Sequence, residues 1–327
     1  MIFSMLSPSR AVASAIRLRN STLEVSVLPD VGAKIWDFIH WPTGNQFLWH
    51  NPRIRPTPYP IDANFDNYWC GGWDDGFPTC EACQHKGEQY PNLGELRSVQ
   101  WEIESFRAGG EEPELSLSAY GPINPVHARK TVRLSGDSLT VEFRIESIGS
   151  LPIDFIWGTH PALRIDAGWK IHIPASTGIV GQANNPRLGS PRQRYAWPNL
   201  ETAGGTVNMS VTQGFDSGLN AGHYATGLRA GWYAVEDPAS GTGLLVEFPL
   251  ETCPYLWLWL SYGGWRGYQL AVVEPWTSYP VTLSEAVAEG THRTLRPDEV
   301  FSCRVRATPW TKPTTLDQIL SRQGLQR

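Results

Sequence analysis

The chain has 327 residues, 41% hydrophobic and 18% charged, which is enough apolar content for a packed core and too much for a disordered chain. A net charge of −5 with no basic stripe argues against a nucleic-acid surface. No apolar run approaches the roughly eighteen residues of a membrane-spanning helix. The chain holds 15 Trp, 26 Pro and 31 Gly but only 3 Met, a composition of many short elements punctuated by turns, which favours β architecture. Residues 1–20 lack a basic start and a sustained apolar stretch, so they are expected to be a leader on a cytoplasmic protein and not a signal peptide. Period-2 alternation then predicts strands over 21–29, 96–106 and 114–120. Residues 128–147 read as a hairpin turning at Gly136-Asp137. Further strands are expected at 168–175, 231–237, 242–250 and 255–264, and at 268–275, which should stop at Pro275. In 255–264 the alternation puts Tyr255, Trp257 and Trp259 on one face and Leu256, Leu258 and Leu260 on the other. Residues 50–94 and 176–225 show little alternation and read as long loops forming walls of a site. Short helices are expected over 283–290, starting at Ser284, and over 314–327. One antiparallel β-sandwich domain, 21–310, with 311–327 as a tail or short helix, is the simplest organisation.

Five cysteines, Cys70, Cys80, Cys83, Cys253 and Cys303, do not space like a secreted disulfide framework. Cys80 and Cys83 form a lone C-x-x-C, and with His85 they still fall short of the four ligands a structural zinc needs. Three segments place ionisable groups at strand ends or in Gly/Pro loops: CGGWDDGFPTC (70–80), FIWGTHPALRI (155–165) and LAVVEPWTSYP (270–280). Trp73 is a candidate stacking platform for a sugar ring, and Asp74 or Asp75 a candidate acceptor of its hydroxyls. Arg97 is a candidate for a carboxylate or phosphate, or for pairing with Glu95 or Glu88 on the surface. Trp257 and Trp259 suit either the core or a sugar-binding wall.

In chain order, these motifs resemble the aldose 1-epimerase (galactose mutarotase-like) family over nearly the whole length. LEVSVLPDVGAKIWDFIHWPTGNQFLW (23–49) is similar to the family's opening strands, and GGWDDGFPT (71–79) to its Gly-Gly-aromatic…Phe-Pro loop. WGTHPALRI (157–165) resembles the segment carrying the family's acid. PYLWLWLSYGG followed by VVEPWTSYP resembles the strand pair ending in its Glu-Pro base. The resemblance implies a large all-β sandwich and an isomerase acting on a carbohydrate, plain or charged, with no cofactor, metal, nucleic acid or membrane, as a monomer or homodimer. It implies Glu274 as the base that takes the anomeric proton and His160 as the acid that protonates the ring oxygen. Glu274 would need a partner to stay ionised, and Arg97 is one candidate.

Two positions depart from the family pattern. Where the family has Pro-x-His-Gly, this chain has Leu93 before Gly94, and losing such a donor costs about 3 kcal/mol in the transition state. His85, in the same loop, is a candidate replacement. Near His223 relatives often carry Asp, so His223 is a candidate for reading a hydroxyl. These departures leave two functions open: acid/base chemistry at the anomeric centre (mutarotation or a related elimination), or a non-catalytic sugar-binding protein that retains the pocket.

Overall fold

The computed structural model describes residues 13–183 and 186–326. Two antiparallel sheets face each other. The first has eleven strands; in spatial order they are Ile16–Arg19, Leu23–Leu28, Lys34–His40, Trp73–Gly76, Gly158–Leu163, Gln269–Trp276, Tyr255–Tyr262, Leu219–Thr226, Thr177–Ala183 and Arg194–Ala196, with Asn45–Gln46 added on Lys34–His40. The second has eight: Lys170–His172, Trp232–Asp237, Thr242–Glu247, Val300–Trp310, Ser138–Ser147, Val126–Ser135, Glu114–Tyr120 and Glu102–Arg107. Among the described residues helix is confined to short pieces, and no helix is long and apolar enough to cross a membrane.

Strand alternation builds the core. Leu256, Leu258 and Leu260 enter the inter-sheet cluster with Val141, Phe143 and Val246 of the second sheet. Tyr255, Trp257 and Trp259 fall on the outer face, in a separate aromatic cluster with Trp69 and Trp276. Full burial of each large apolar side chain contributes about 1.5–3 kcal/mol, so this division of one strand's residues fixes its register firmly. The 126–135 strand sends Val126, Ala128, Val132 and Leu134 inward, and also Lys130, which is fully buried. Its ammonium is answered across the sandwich by Asp75 Oδ2 at 2.6 Å and by the carbonyl of Ala33 at 3.0 Å.

Several expected elements differ in extent. Strand 96–106 is realised only over Glu102–Arg107. The stretch 176–225, expected as loop, contributes the strands Thr177–Ala183, Arg194–Ala196 and Leu219–Thr226 to the first sheet and the hairpin Asn199–Thr202 with Gly205–Asn208. Its many Gly, Asn and Pro residues mark the turns between these short strands. Within 50–94 lie the strand Trp73–Gly76 and the hairpin Cys83–His85 with Glu88–Tyr90. Ile16–Arg19 of the expected leader is already paired in the sheet, while residues 1–12 lie outside the described residues. The Gly136 turn joins Val126–Ser135 to Ser138–Ser147 in the expected hairpin. The first helix is Leu283–Ala288, capped by Thr282 instead of starting at Ser284, and the last is Leu316–Arg322, closed by a Thr315–Gln318 capping box.

Candidate active site

One rung of the first sheet carries the site. Gly158–Leu163 lies between Trp73–Gly76 and Gln269–Trp276. The pairs Gly158 with Trp276 and Ala162 with Val272 bracket His160 and Glu274, so the register sets these two opposite each other. The ladder is open between those pairs, where Pro161 and Pro275 have no N–H to donate. Across the other edge His160 faces Asp74; Glu274 faces Trp257, and Trp257 faces Tyr224. Residues directly opposed in an antiparallel pair share a face. Asp74, His160, Glu274, Trp257 and Tyr224 therefore project together, away from the inter-sheet core.

His160 Nε2 lies 3.9 Å from Glu274 Oε2, and both side chains are almost fully buried. The Trp276 indole N–H donates to Glu274 Oε2 at 2.9 Å. That indole stacks on Trp257 at 4.1 Å and 10°, and it lies flat over Gly158 and Gly76. A Cβ at Gly158 would fall 2.1 Å from the ring and one at Gly76 2.5 Å, so glycine at both positions admits the indole that holds Glu274. Trp69 meets His160 edge-on at 5.6 Å. Trp69 also donates its N–H to Asp74 Oδ2 at 3.1 Å, the oxygen that Lys34 Nζ holds at 2.6 Å. Burial pulls the Lys34 ammonium down, but Asp74, together with Cys70 and Tyr59, offsets this and the net shift is upward.

The His160–Glu274 pair has no such counterion. Burial pushes Glu274 up to about 8, against the lowering effect of the Trp276 hydrogen bond. Burial pulls His160 down to about 4, against the negative charge of Asp74. With nothing bound near neutral pH, the carboxyl holds its proton and the imidazole is neutral. Above the pair opens a cavity of about 350 Å³. Its walls are aromatic (Phe65, Trp69, Trp257, Trp259, Trp265) with Glu81, Gln182, Asn92 and Asn220 as polar points and Leu93 on one side. Asn220 Oδ1 and His160 Nδ1 are buried without a hydrogen-bond partner.

No family profile matches the chain, and no curated protein sequence does. Solved structures do. A protein of Synechocystis sp. PCC 6803 superposes with a TM-score of 0.69 at 19% identity, covering 94% of this chain and 100% of its own. A galactose mutarotase related enzyme from Lactobacillus acidophilus gives 0.64 at 16% identity, covering 93% and 99%. A galactose mutarotase-like protein from Lactobacillus casei gives 0.65 at 13% identity, covering 91% and 100%. The chain has the galactose mutarotase-like fold.

Within this galactose mutarotase-like sandwich the residues singled out from the sequence separate into two groups. His160, Glu274 and Trp259 come together in the cavity, with Leu93 in its wall. Trp73 and Asp75 do not line it. Trp73 sits in the inter-sheet core and donates its N–H to the Thr159 hydroxyl, and Asp75 is the partner of Lys130. Strand parity is the reason: on Trp73–Gly76 it is Asp74 that faces the rung of His160. His85 is held by Asp154 at 3.0 Å, beside Lys86 at 2.8 Å from the same oxygen, and does not reach the cavity. Arg97 is buried and donates to the backbone carbonyls of Asn92 and Ile61 between the rings of Tyr59 and Phe65; it braces the loop and touches neither Glu274 nor Glu95. Glu95 accepts instead from the N–H groups of Ile123 and Asn124. His223 borders the cavity from its strand, but alternation turns its ring to the core face with Ala221 and Ala225, where Nδ1 lies 3.2 Å from Tyr195 Oη. Cys80 lines the cavity and Cys83 packs in the aromatic cluster, and among the described residues no group of three or more His, Cys, Asp or Glu is placed to hold a metal ion. Sequence reasoning missed Trp69, Trp265, Gln182 and Asn220. The one available signal was the density of aromatics in 65–73 and 255–268.

Proposed function

We propose that the chain is a carbohydrate-active enzyme that opens and recloses a sugar ring, with Glu274 and His160 exchanging protons at the anomeric hydroxyl and the ring oxygen. The observation that carries this reading is the facing of one carboxyl and one imidazole, 3.9 Å apart, on the floor of an aromatic cavity. Ring opening moves the anomeric proton to Glu274 and a proton from His160 to the ring oxygen. The open-chain stage then has a neutral carboxyl and a neutral imidazole. That is the arrangement burial favours in the empty cavity. Closure on the other face of the carbonyl reverses both transfers. A sugar hydroxyl donating to Glu274 favours its carboxylate, and the proton Glu274 gives up passes to His160, so the first step starts from the carboxylate and imidazolium it needs. Indole faces suit the apolar C–H face of a pyranose, and the cavity's size suits one ring.

Leu93 favours a second reading, a sugar-binding protein without turnover, because a wall position that supplies a donor in the resembling family is aliphatic here. Proton NMR of anomer exchange separates the two readings. Free and phosphorylated aldoses are mixed with the chain and with its His160→Ala and Glu274→Gln variants. The enzyme reading expects exchange above the buffer rate, reduced about 10²–10⁴-fold in either variant. Binding without exchange by the wild-type chain, with exchange appearing in Leu93→His, would instead establish the binding protein.

A further inference from the structure

The wall of this cavity also bears on the charge of its occupant, an inference that rests on reading the cavity as the sugar site. Its ionisable side chains include the three carboxyl groups of Asp66, Glu81 and Glu274, and neither Lys nor Arg lines it among the described residues. Asp66 is answered at the rim by Arg266, with Nη2 at 3.6 Å. Glu274 faces His160. Glu81 is different: it accepts a hydrogen bond from the neutral amide of Gln182 at 2.6 Å, and the charged groups that act on it, Glu285 and Asp66, are both acidic. Burial and these two neighbours push its carboxyl up. A carboxyl group in this setting, half-buried at the rim and without a cationic partner, is open to a cation brought from outside. The surrounding wall fits a cation. Trp69, Trp259 and Trp265 stand edge-to-face at 4.9–5.9 Å, and although Arg266 already lies 5.2 Å over the Trp265 ring, the cavity is lined by indoles whose faces carry negative potential. Aromatic faces joined to a carboxylate form the usual recognition site for an ammonium group. A phosphate or carboxylate placed there would meet like charge, while the rim cation, Arg266, is already engaged by Asp66.

We propose that the cavity selects an amino sugar, an aldose bearing a protonated amine, with Glu81 accepting the ammonium and the tryptophan rings flanking it, and that it rejects sugar phosphates and uronic acids.

Tryptophan-fluorescence titration of the full chain tests this, because the reporters line the site. The probes are glucosamine, galactosamine, glucose, N-acetylglucosamine and glucose 6-phosphate, at neutral pH, where the amines stay largely charged and the raised Glu81 carboxyl is not driven further toward its protonated form. One or both amino sugars are expected to bind about tenfold more tightly than glucose and N-acetylglucosamine, with the phosphate weakest. Glu81→Gln, checked by circular dichroism for an unchanged fold, is expected to bring amine and neutral sugar to within about twofold. Glu142→Gln, on an exposed strand face of the second sheet, should leave the preference in place. Equal or tighter binding of the neutral or phosphorylated sugars overturns the proposal. So does an amine preference that survives Glu81→Gln, or no binding of any probe. If amino sugars bind with this preference and no sugar shows exchange, the enzyme reading falls and this inference stands. Exchange on neutral sugars without an amine preference gives the reverse outcome.

Discussion

Two strands of the first sheet bury carboxyl groups in opposite ways. On Trp73–Gly76 both acids are matched to lysines: Asp74 holds Lys34 at 2.6 Å on the cavity face, and Asp75 holds Lys130 at 2.6 Å on the core face. On Gln269–Trp276, Glu274 is buried as deeply and has an indole N–H and an imidazole near it, but no ammonium or guanidinium. The first pattern ties sheets and strands together. The second leaves a carboxyl whose charge depends on what enters the cavity. A buried acid matched by a cation is a structural tie, and one left unmatched beside an empty volume is available for proton transfer.

The largest effect should come from breaking a matched pair. Lys130→Met strands Asp75 inside the sandwich and is expected to cost about 3–5 kcal/mol in urea unfolding, most of it recovered in Lys130→Met/Asp75→Leu. Next comes the unmatched acid. Glu274 has a folded pKa raised from 4.5 to about 8, so stability it allows below pH 4.5 is lost as pH rises through 8. Glu274→Gln should therefore unfold at higher urea than wild type at pH 8–9, by on the order of a few kcal/mol, and the gain should shrink toward pH 5. The smallest effect is expected where carboxylate and cation are both in water. Arg304 donates to Glu142 at 3.0 Å with both side chains exposed, and Arg304→Met should change stability by less than about 1 kcal/mol. If Lys130→Met behaved like Arg304→Met, the distinction between the two kinds of buried acid would collapse.

Much of this was legible in the sequence because it depends on alternation. YLWLWLSY announces one leucine face and one aromatic face, and the structure puts them in two different clusters. His160 and Glu274 were singled out by the resemblance of WGTHPALRI and VVEPWTSYP to the aldose 1-epimerase family, since an ionisable group beside a proline at a strand end carries no role by its position alone. Parity was not legible where the strand itself was not visible. Trp73–Gly76 is four residues long in a Gly-rich stretch, so nothing in it told Asp74 from Asp75, or Trp73 in the core from Trp69 in the cavity. The same holds for His223, whose strand lies in a segment that reads as loop and whose ring points to the core because Tyr224 points to the cavity. Arg97 and His85 were expected near Glu274 by their place in the loop. Their partners are backbone carbonyls and Asp154, contacts that no local pattern encodes.

The most direct test of the unmatched carboxyl is an infrared pH titration of wild-type protein minus Glu274→Gln, following the protonated-carboxyl C=O band. The account predicts that this band persists at pH 7, fades with a midpoint near 8, and shifts to a lower midpoint when a bound sugar donates hydrogen bonds to Glu274. A Glu274 band that is already gone by pH 6 would mean that the carboxyl is ionised in the empty cavity, and would contradict the account of Glu274 as an unmatched acid that burial keeps protonated until a sugar enters.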